Sequence, residues 1–184
     1  MDRAELEKLR EEAKKKRVTL EIKAKELMEK YGFEISDTRV GYLASNLEKQ
    51  DIHHIETAFE VQKALGVLPK DDESLKALEG KMLTLKLNEK LREVLARADN
   101  LRDLSHMIGR EKVNEYVPLA IKLVQEFELE PNHFTNFGSI IAILGMRSGD
   151  IEATKALLKE KIKENMSVEN PLHREFRKRE LKKI

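Results

Sequence analysis

Apolar residues recur along this chain at spacings of three and four, and strand-like alternation is almost absent. Val40, Leu43, Ala44 and Leu47 form one stripe, and Ile52, Ile55 and Phe59 lead through Gln62 to Leu65 along another. The longest takes in Val113, Tyr116, Val117, Ala120, Ile121, Val124 and Phe127, and Phe137, Ile140, Ile141 and Leu144 follow it. Each stripe covers one face of a helix and needs a partner to bury it. The expected fold class is therefore all-α, with about nine or ten helices of ordinary length. Phe59, Leu65, Val117, Ile121, Ile141, Leu144 and Leu158 are the expected core.

Helix ends are also legible. Asp37, Asp71 or Asp72, Asp99, Asn132, Asp150 and Asn170 stand just before or at the start of a periodic run, where a short acceptor satisfies first-turn N–H groups. Gly32 and Gly66 follow such runs, where a left-handed cap is wanted. Pro118 falls inside a stripe, so that helix is expected to start near Asn114 or to kink.

The connectors resemble one another. Gly32-Phe33-Glu34-Ile35-Ser36-Asp37, Gly66-Val67-Leu68-Pro69-Lys70-Asp71, Phe127-Glu128-Leu129-Glu130-Pro131-Asn132 and Asn165-Met166-Ser167-Val168-Glu169-Asn170 each end a helix, carry an apolar residue inward and close on an acidic or amide cap. Their final caps are 34, 61 and 38 residues apart, and the long step splits in two at Asp99. The pairs Asp51-Ile52 and Asp150-Ile151 add a 99-residue separation, close to three units. Such steps are the mark of stacked helical hairpins, here about 33–68, 69–98, 99–130 and 131–166.

Pro131-Asn132, the apolar run from Phe137 to Met146, Ser148-Gly149-Asp150-Ile151-Glu152-Ala153 and Ala156-Leu157-Leu158 together resemble a pentatricopeptide repeat. So does the stretch from Ala24-Lys25-Glu26-Leu27-Met28-Glu29-Lys30-Tyr31-Gly32 through Leu43 and Leu47 to Ala64-Leu65-Gly66-Val67-Leu68-Pro69, in a grammar shared with tetratricopeptide hairpins. The expectation is a single all-α domain over 1–184, a short right-handed α-solenoid of about four helical hairpins. An N-terminal helix over 1–32 and a basic C-terminal helix over 167–184 would close its ends. In the family it resembles, polar side chains on each first helix meet single bases, which implies Arg39, Thr135, Asn136 and Ser139 as positions of interest.

Composition narrows the classes. With 184 residues, 40% hydrophobic and 38% charged, and a net charge of +1, the chain can enclose a core and is not intrinsically disordered. No apolar run approaches the roughly 20 residues of a membrane helix, so no membrane partner is expected. The absence of cysteine removes disulfide frameworks, thiolate zinc sites and cysteine nucleophiles, and fits a reducing compartment. Met1-Asp2-Arg3-Ala4-Glu5-Leu6-Glu7 lacks the apolar core of a secretory signal, and its acids argue against a transit peptide. An intracellular, cytoplasmic protein is the expectation.

Candidate chemistry is sparse. The histidines are His53, His54, His106, His133 and His173. His53 and Glu56 are one turn apart and could both face a metal, but two ligands do not make a site. His53 and His54 also diverge by about 100° on a helix, so solvated or capping roles are expected and neither metal nor cofactor is. Most carboxylates alternate with Lys and Arg, the pattern of an exposed helix. There is no phosphate-cradling glycine loop, no GxSxG and no HExxH. Without a site to argue from, no enzymatic activity is expected.

Charge is uneven: residues 1–30 carry net +2, residues 31–154 net −6 and residues 155–184 net +5. Arg174, Arg177, Lys178, Arg179, Lys182 and Lys183 form the densest basic run, suited to phosphates or to acidic partner surfaces. The leading expectation is a non-enzymatic helical-repeat scaffold that binds a protein partner or peptide, because the acidic middle repels nucleic acid. The alternative is a pentatricopeptide-like RNA binder, and an oligomer with a structural role is a third class.

Overall fold

The computed structural model describes residues 3–68, 77–129 and 137–168, and every regular element among them is a helix. These are α1 (Arg3–Tyr31), α2 (Asp37–Lys49), α3 (Ile52–Ala64), α4 (Gly80–Ile108), α5 (Arg110–Glu126), α6 (Phe137–Met146) and α7 (Ile151–Val168). The chain gathers into two compact units, Met1–Asp99 and Asn100–Ile184.

In the first unit α1 packs chiefly on α2 and also touches α3. Ala24, Leu27, Met28 and Tyr31 of α1, with Val40, Leu43, Ala44 and Leu47 of α2 and Ile55, Ala58, Phe59 and Val61 of α3, are buried. The Tyr31 ring stacks on Phe59 at 4.8 Å and 13°, and Phe33 meets Phe59 edge-on at 5.9 Å and 86°. Helix directions follow from three ion pairs along α1: Lys16 with Glu48 of α2 at 3.3 Å, then Lys23 with Glu56 and Lys30 with Glu60 of α3 at 3.1 and 2.8 Å. Lys16 meets the far end of α2, so α1 and α2 are antiparallel. Partners on α3 advance as α1 advances, so α1 and α3 are parallel.

Two hydrogen bonds fix α4 against α2. Arg39 Nε donates to Asn88 Oδ1, and Gln50 Nε2 donates to Asp99 Oδ1, both across an offset of 49 residues. An equal offset at two points about 16 Å apart along a helix, at ~1.5 Å per residue, means that α2 and α4 run in the same direction.

The second unit repeats this order. α5 packs on α6, and α6 on α7. Gly145 near the end of α6 lies against Ile108, just before α5 begins, so α5 and α6 are antiparallel. Gly149 lies against Tyr116, and Lys155 of α7 pairs with Glu126 at the end of α5 at 2.8 Å, so α5 and α7 advance together. Val113, Tyr116, Ala120, Leu123 and Val124 face Phe137, Ile140, Ile141, Ile143, Leu144 and Leu158 in the buried interior of this unit.

The connectors share one geometry. Phe33 N–H donates to the Met28 carbonyl and Gly32 N–H to that of Glu29; Val67 and Gly66 repeat this with Gln62 and Lys63, and Leu129 and Glu128 with Val124 and Gln125. This pair of bonds is the Schellman cap. Its central residue is left-handed in each case, at φ 78° for Gly32, 69° for Gly66 and 48° for Glu128. The inward residues are Phe33, Leu68 and Leu129, all buried.

Several expectations change. Asp99 begins no helix but lies within α4, because Leu91, Val94, Leu95, Ala98, Leu101 and Leu104 continue one buried stripe across it with no glycine or proline to break it. That merger accounts for part of the gap between seven helices among the described residues and the nine or ten expected. Residues 165–168 extend α7 rather than ending it; no glycine is present there to take a left-handed cap. α5 starts at Arg110, four residues before Asn114, and holds Pro118 within it on the exposed face. Ser36, not Asp37, caps α2, while Asp51 and Asp150 cap α3 and α7 through their carboxylates. Asp71, Asp72, Asn132 and Asn170 lie outside the described residues.

Phe59, Ile141, Leu144 and Leu158 are buried as expected, whereas Leu65, Val117 and Ile121 are half-buried. Leu65 has already left the last turn of α3. Val117 and Ile121 each sit about 100° around α5 from Tyr116 and Ala120, which hold the centre of the buried face. No described helix is long and apolar enough to cross a membrane.

Candidate functional site

A cleft of about 170 Å³ opens between the parallel helices α2 and α4, lined by Thr38, Arg39, Tyr42, Asn88, Leu91 and Arg92. The α2 stripe of Val40, Leu43, Ala44 and Leu47 turns inward, which leaves Thr38 and Tyr42 on the outer side. Likewise Leu87, Leu91 and Val94 turn α4 inward and put Arg92 in solvent. Arg39 is the exception on its helix. It sits one turn before Leu43 on the flank of the stripe, is 5% exposed, and spans the gap between the helices.

The Arg39 guanidinium is held by four oxygens. Nε donates to Asn88 Oδ1 at 2.9 Å, Nη1 to the Glu34 carbonyl at 2.9 Å and its carboxylate at 3.2 Å, and Nη2 to the Thr84 carbonyl at 3.4 Å. It is a wall of the cleft rather than a hand reaching from it. Tyr42, 47% exposed, is the aromatic surface on offer, with Arg92 as the solvent-facing cation. Met82 and Leu85, both exposed, stand on the first turns of α4, and Leu85 comes three residues before Asn88.

Of the residues singled out in the sequence, Arg39 is buried in the first unit and Ser139 is half-buried on α6 in the second. Thr135, Asn136, Arg174, Arg177, Lys178, Arg179, Lys182 and Lys183 lie outside the described residues. The signal that would have found Tyr42 is an aromatic standing off its helix's apolar stripe, between Val40 and Leu43.

Other polar clusters serve the fold. The hydroxyl of Tyr31 donates to Glu60, which also accepts from Lys30. Those bonds, Lys30 first, hold the Glu60 carboxyl below its usual range, while the Glu60 contact raises Lys30. Burial and the bond to Glu60 raise Tyr31. Arg97, buried and donating to Gln62 at 2.9 Å, has its pKa lowered by burial, an effect that Glu93 opposes. Glu56 is drawn into its ion pair with Lys23, and among the described residues no group of three or more His, Asp or Glu converges as a metal site would require.

Neither a known protein family, nor a curated protein, nor a solved structure matches the chain.

Proposed function

We propose that this protein is a non-enzymatic scaffold of helical hairpins that receives a peptide or a partner helix in the cleft between α2 and α4. The observation that carries the reading is the cleft itself, an aromatic ring and an apolar floor, Tyr42 and Leu91, beside the exposed cation of Arg92. A ligand with one apolar anchor and a neighbouring carboxylate fits that chemistry. The alternation of antiparallel neighbours and parallel next neighbours, present in each unit, supports the hairpin-repeat part of the reading.

The test is selection of peptides from a displayed random library on the full-length protein, followed by affinity measurement. Selected peptides are expected to be apolar and acidic, and Tyr42→Ala should weaken them at least about fivefold, since an anchoring aromatic is worth more than ~1 kcal/mol. Arg92→Glu should weaken the acidic ones further. Both side chains are exposed, so circular dichroism should be unchanged. Peptide affinities indifferent to both changes would move the site elsewhere. Salt-steep binding of single-stranded RNA, lost in Tyr42→Ala, would favour the nucleic-acid alternative instead.

A further inference from the structure

Helices α2 and α4 each carry one row of outward side chains beside the cleft. Thr38, Tyr42, Ser45 and Lys49 follow one another on α2 at steps of four, three and four, and Lys81, Leu85, Asn88 and Arg92 do the same on α4. Such steps keep each row within about 60° of its helix's circumference. All are exposed except Asn88, which is half-buried. Thr38, Tyr42, Asn88 and Arg92 line the cleft itself, and the other members extend its rim.

Neither row contains a carboxylate. Among the described residues its three cations, Lys49, Lys81 and Arg92, form no ion pair. The acids nearest to them are engaged: Glu34 with Arg39, Glu48 with Lys16, Glu89 with Lys86, Glu93 with Lys90, and Asp99 with Gln50. Of the others, Asp37 lies about 100° round α2 from Thr38, and Glu79 precedes α4. Lys81 and Arg92 stand 11 residues apart on one face, about 16 Å at ~1.5 Å per residue. The cleft between the rows, about 170 Å³, is smaller than the ~300–1,000 Å³ of small-molecule pockets. It has room for side chains, not for a backbone.

Building on the reading that this cleft receives a peptide or a partner helix, we propose that its occupant is an acidic amphipathic helix laid along α2 and α4. A helix advances at the same rise as α4, so two carboxylates 11 residues apart on one of its faces meet Lys81 and Arg92 together. Apolar residues four and seven places after the first acid then fall on Leu85 and into the cleft beside Tyr42. Lys49, at the common offset of 49 residues, stands level with Ala98 and adds a third cation beyond Arg92. An extended strand alternates its side chains and would turn half of them away from the cleft.

The probe is a labelled, alanine-rich peptide of about 18 residues, long enough to form a helix alone, with Glu, Leu, Leu and Glu at those spacings. Fluorescence anisotropy against the full-length protein reads its affinity. Lys81→Glu and Arg92→Glu should each weaken binding at least about fivefold, with helicity kept because both side chains are exposed. A peptide with Lys in place of both Glu should bind the double variant better than the parent. Moving the second Glu to nine places after the first puts it on the opposite face, and that change or a central proline should weaken binding about tenfold. No binding at millimolar protein, or binding indifferent to the cations, the spacing or the proline, overturns the proposal. If library-selected peptides are then still lost with Tyr42→Ala, the cleft reading survives and only its helical occupant falls. Salt-steep binding of oligouridylate through Lys49, Lys81 and Arg92, with the peptide unbound, makes the rows a phosphate track and also overturns it.

Discussion

The shared cap geometry supports a sign-reversal experiment at two equivalent positions. Gly66 and Glu128 each occupy the left-handed residue of a Schellman cap, at φ 69° and 48°. Gly66→Ala adds a methyl group that meets nothing within 4 Å, so the change isolates the backbone term. A side chain in the left-handed region costs ~1–2 kcal/mol. Loss of glycine's freedom in the unfolded chain returns ~0.4–1 kcal/mol. The net is about 1 kcal/mol of destabilisation. Glu128→Gly runs the same arithmetic backwards, and because Glu128 is exposed, its side-chain contacts subtract little. It should stabilise by about 1 kcal/mol. Urea titration followed by far-ultraviolet circular dichroism should show midpoint shifts of ~0.3–1 M in opposite directions, for slopes of about 1–3 kcal/mol/M. Amide exchange should place each effect in the unit that carries the substitution, about fivefold per kcal/mol. Shifts of the same sign, or no shift at Gly66, would refute the equivalence of the connectors.

Three further outcomes are expected. Ile141→Ala and Leu158→Ala, at 0% and 1% exposure, should each cost roughly 2–5 kcal/mol, read from thermal or urea melts. Pro118→Ala should raise the melting temperature, since an interior helical proline gives no N–H to the preceding turn and costs up to ~3 kcal/mol relative to alanine. Comparing the parent with Glu60→Gln across pH should show a small advantage for the parent above the ordinary carboxylate value near 4.5. Because the folded pKa is lowered, that advantage should close as pH falls through it; a gap that widens in acid would reverse the assignment.

The all-α class was legible because spacings of three and four dominate, and the connectors at Gly32, Gly66 and Glu128 were legible as a recurring pattern, whereas the same cap at Ser148, between α6 and α7, was not. Asp99 shows where legibility stops. A capping side chain signals a helix start only if the chain actually breaks there, and the apolar stripe from Leu91 to Leu104 carries the helix through. Arg39 was visible as a polar residue on α2, but its burial depends on Asn88 and Thr84, partners more than forty residues away that no local pattern connects to it. The cleft was hidden for the same reason, since it is formed by two helices that are not consecutive.

What keeps that cleft open is the polar character of the contacts between α2 and α4. An apolar seam would draw the two helices together until side chains interdigitated, whereas Arg39 crosses the gap and ends on oxygens from α4 and from the connector before α2. Taking a guanidinium out of water is costly, and the Glu34 carboxylate at 3.2 Å with three further acceptors offsets that cost without adding much net stability. The gain is in register. The Arg39–Asn88 bond sets one point of the pairing, and Gln50–Asp99, at the same offset, sets a second, so α4 can neither slide nor rotate against α2 without breaking one of them. The two helices that carry Tyr42 and Arg92 are thereby held in register. On the proposed reading, a peptide would meet a cleft already formed, with little of the protein's own backbone left to order on binding.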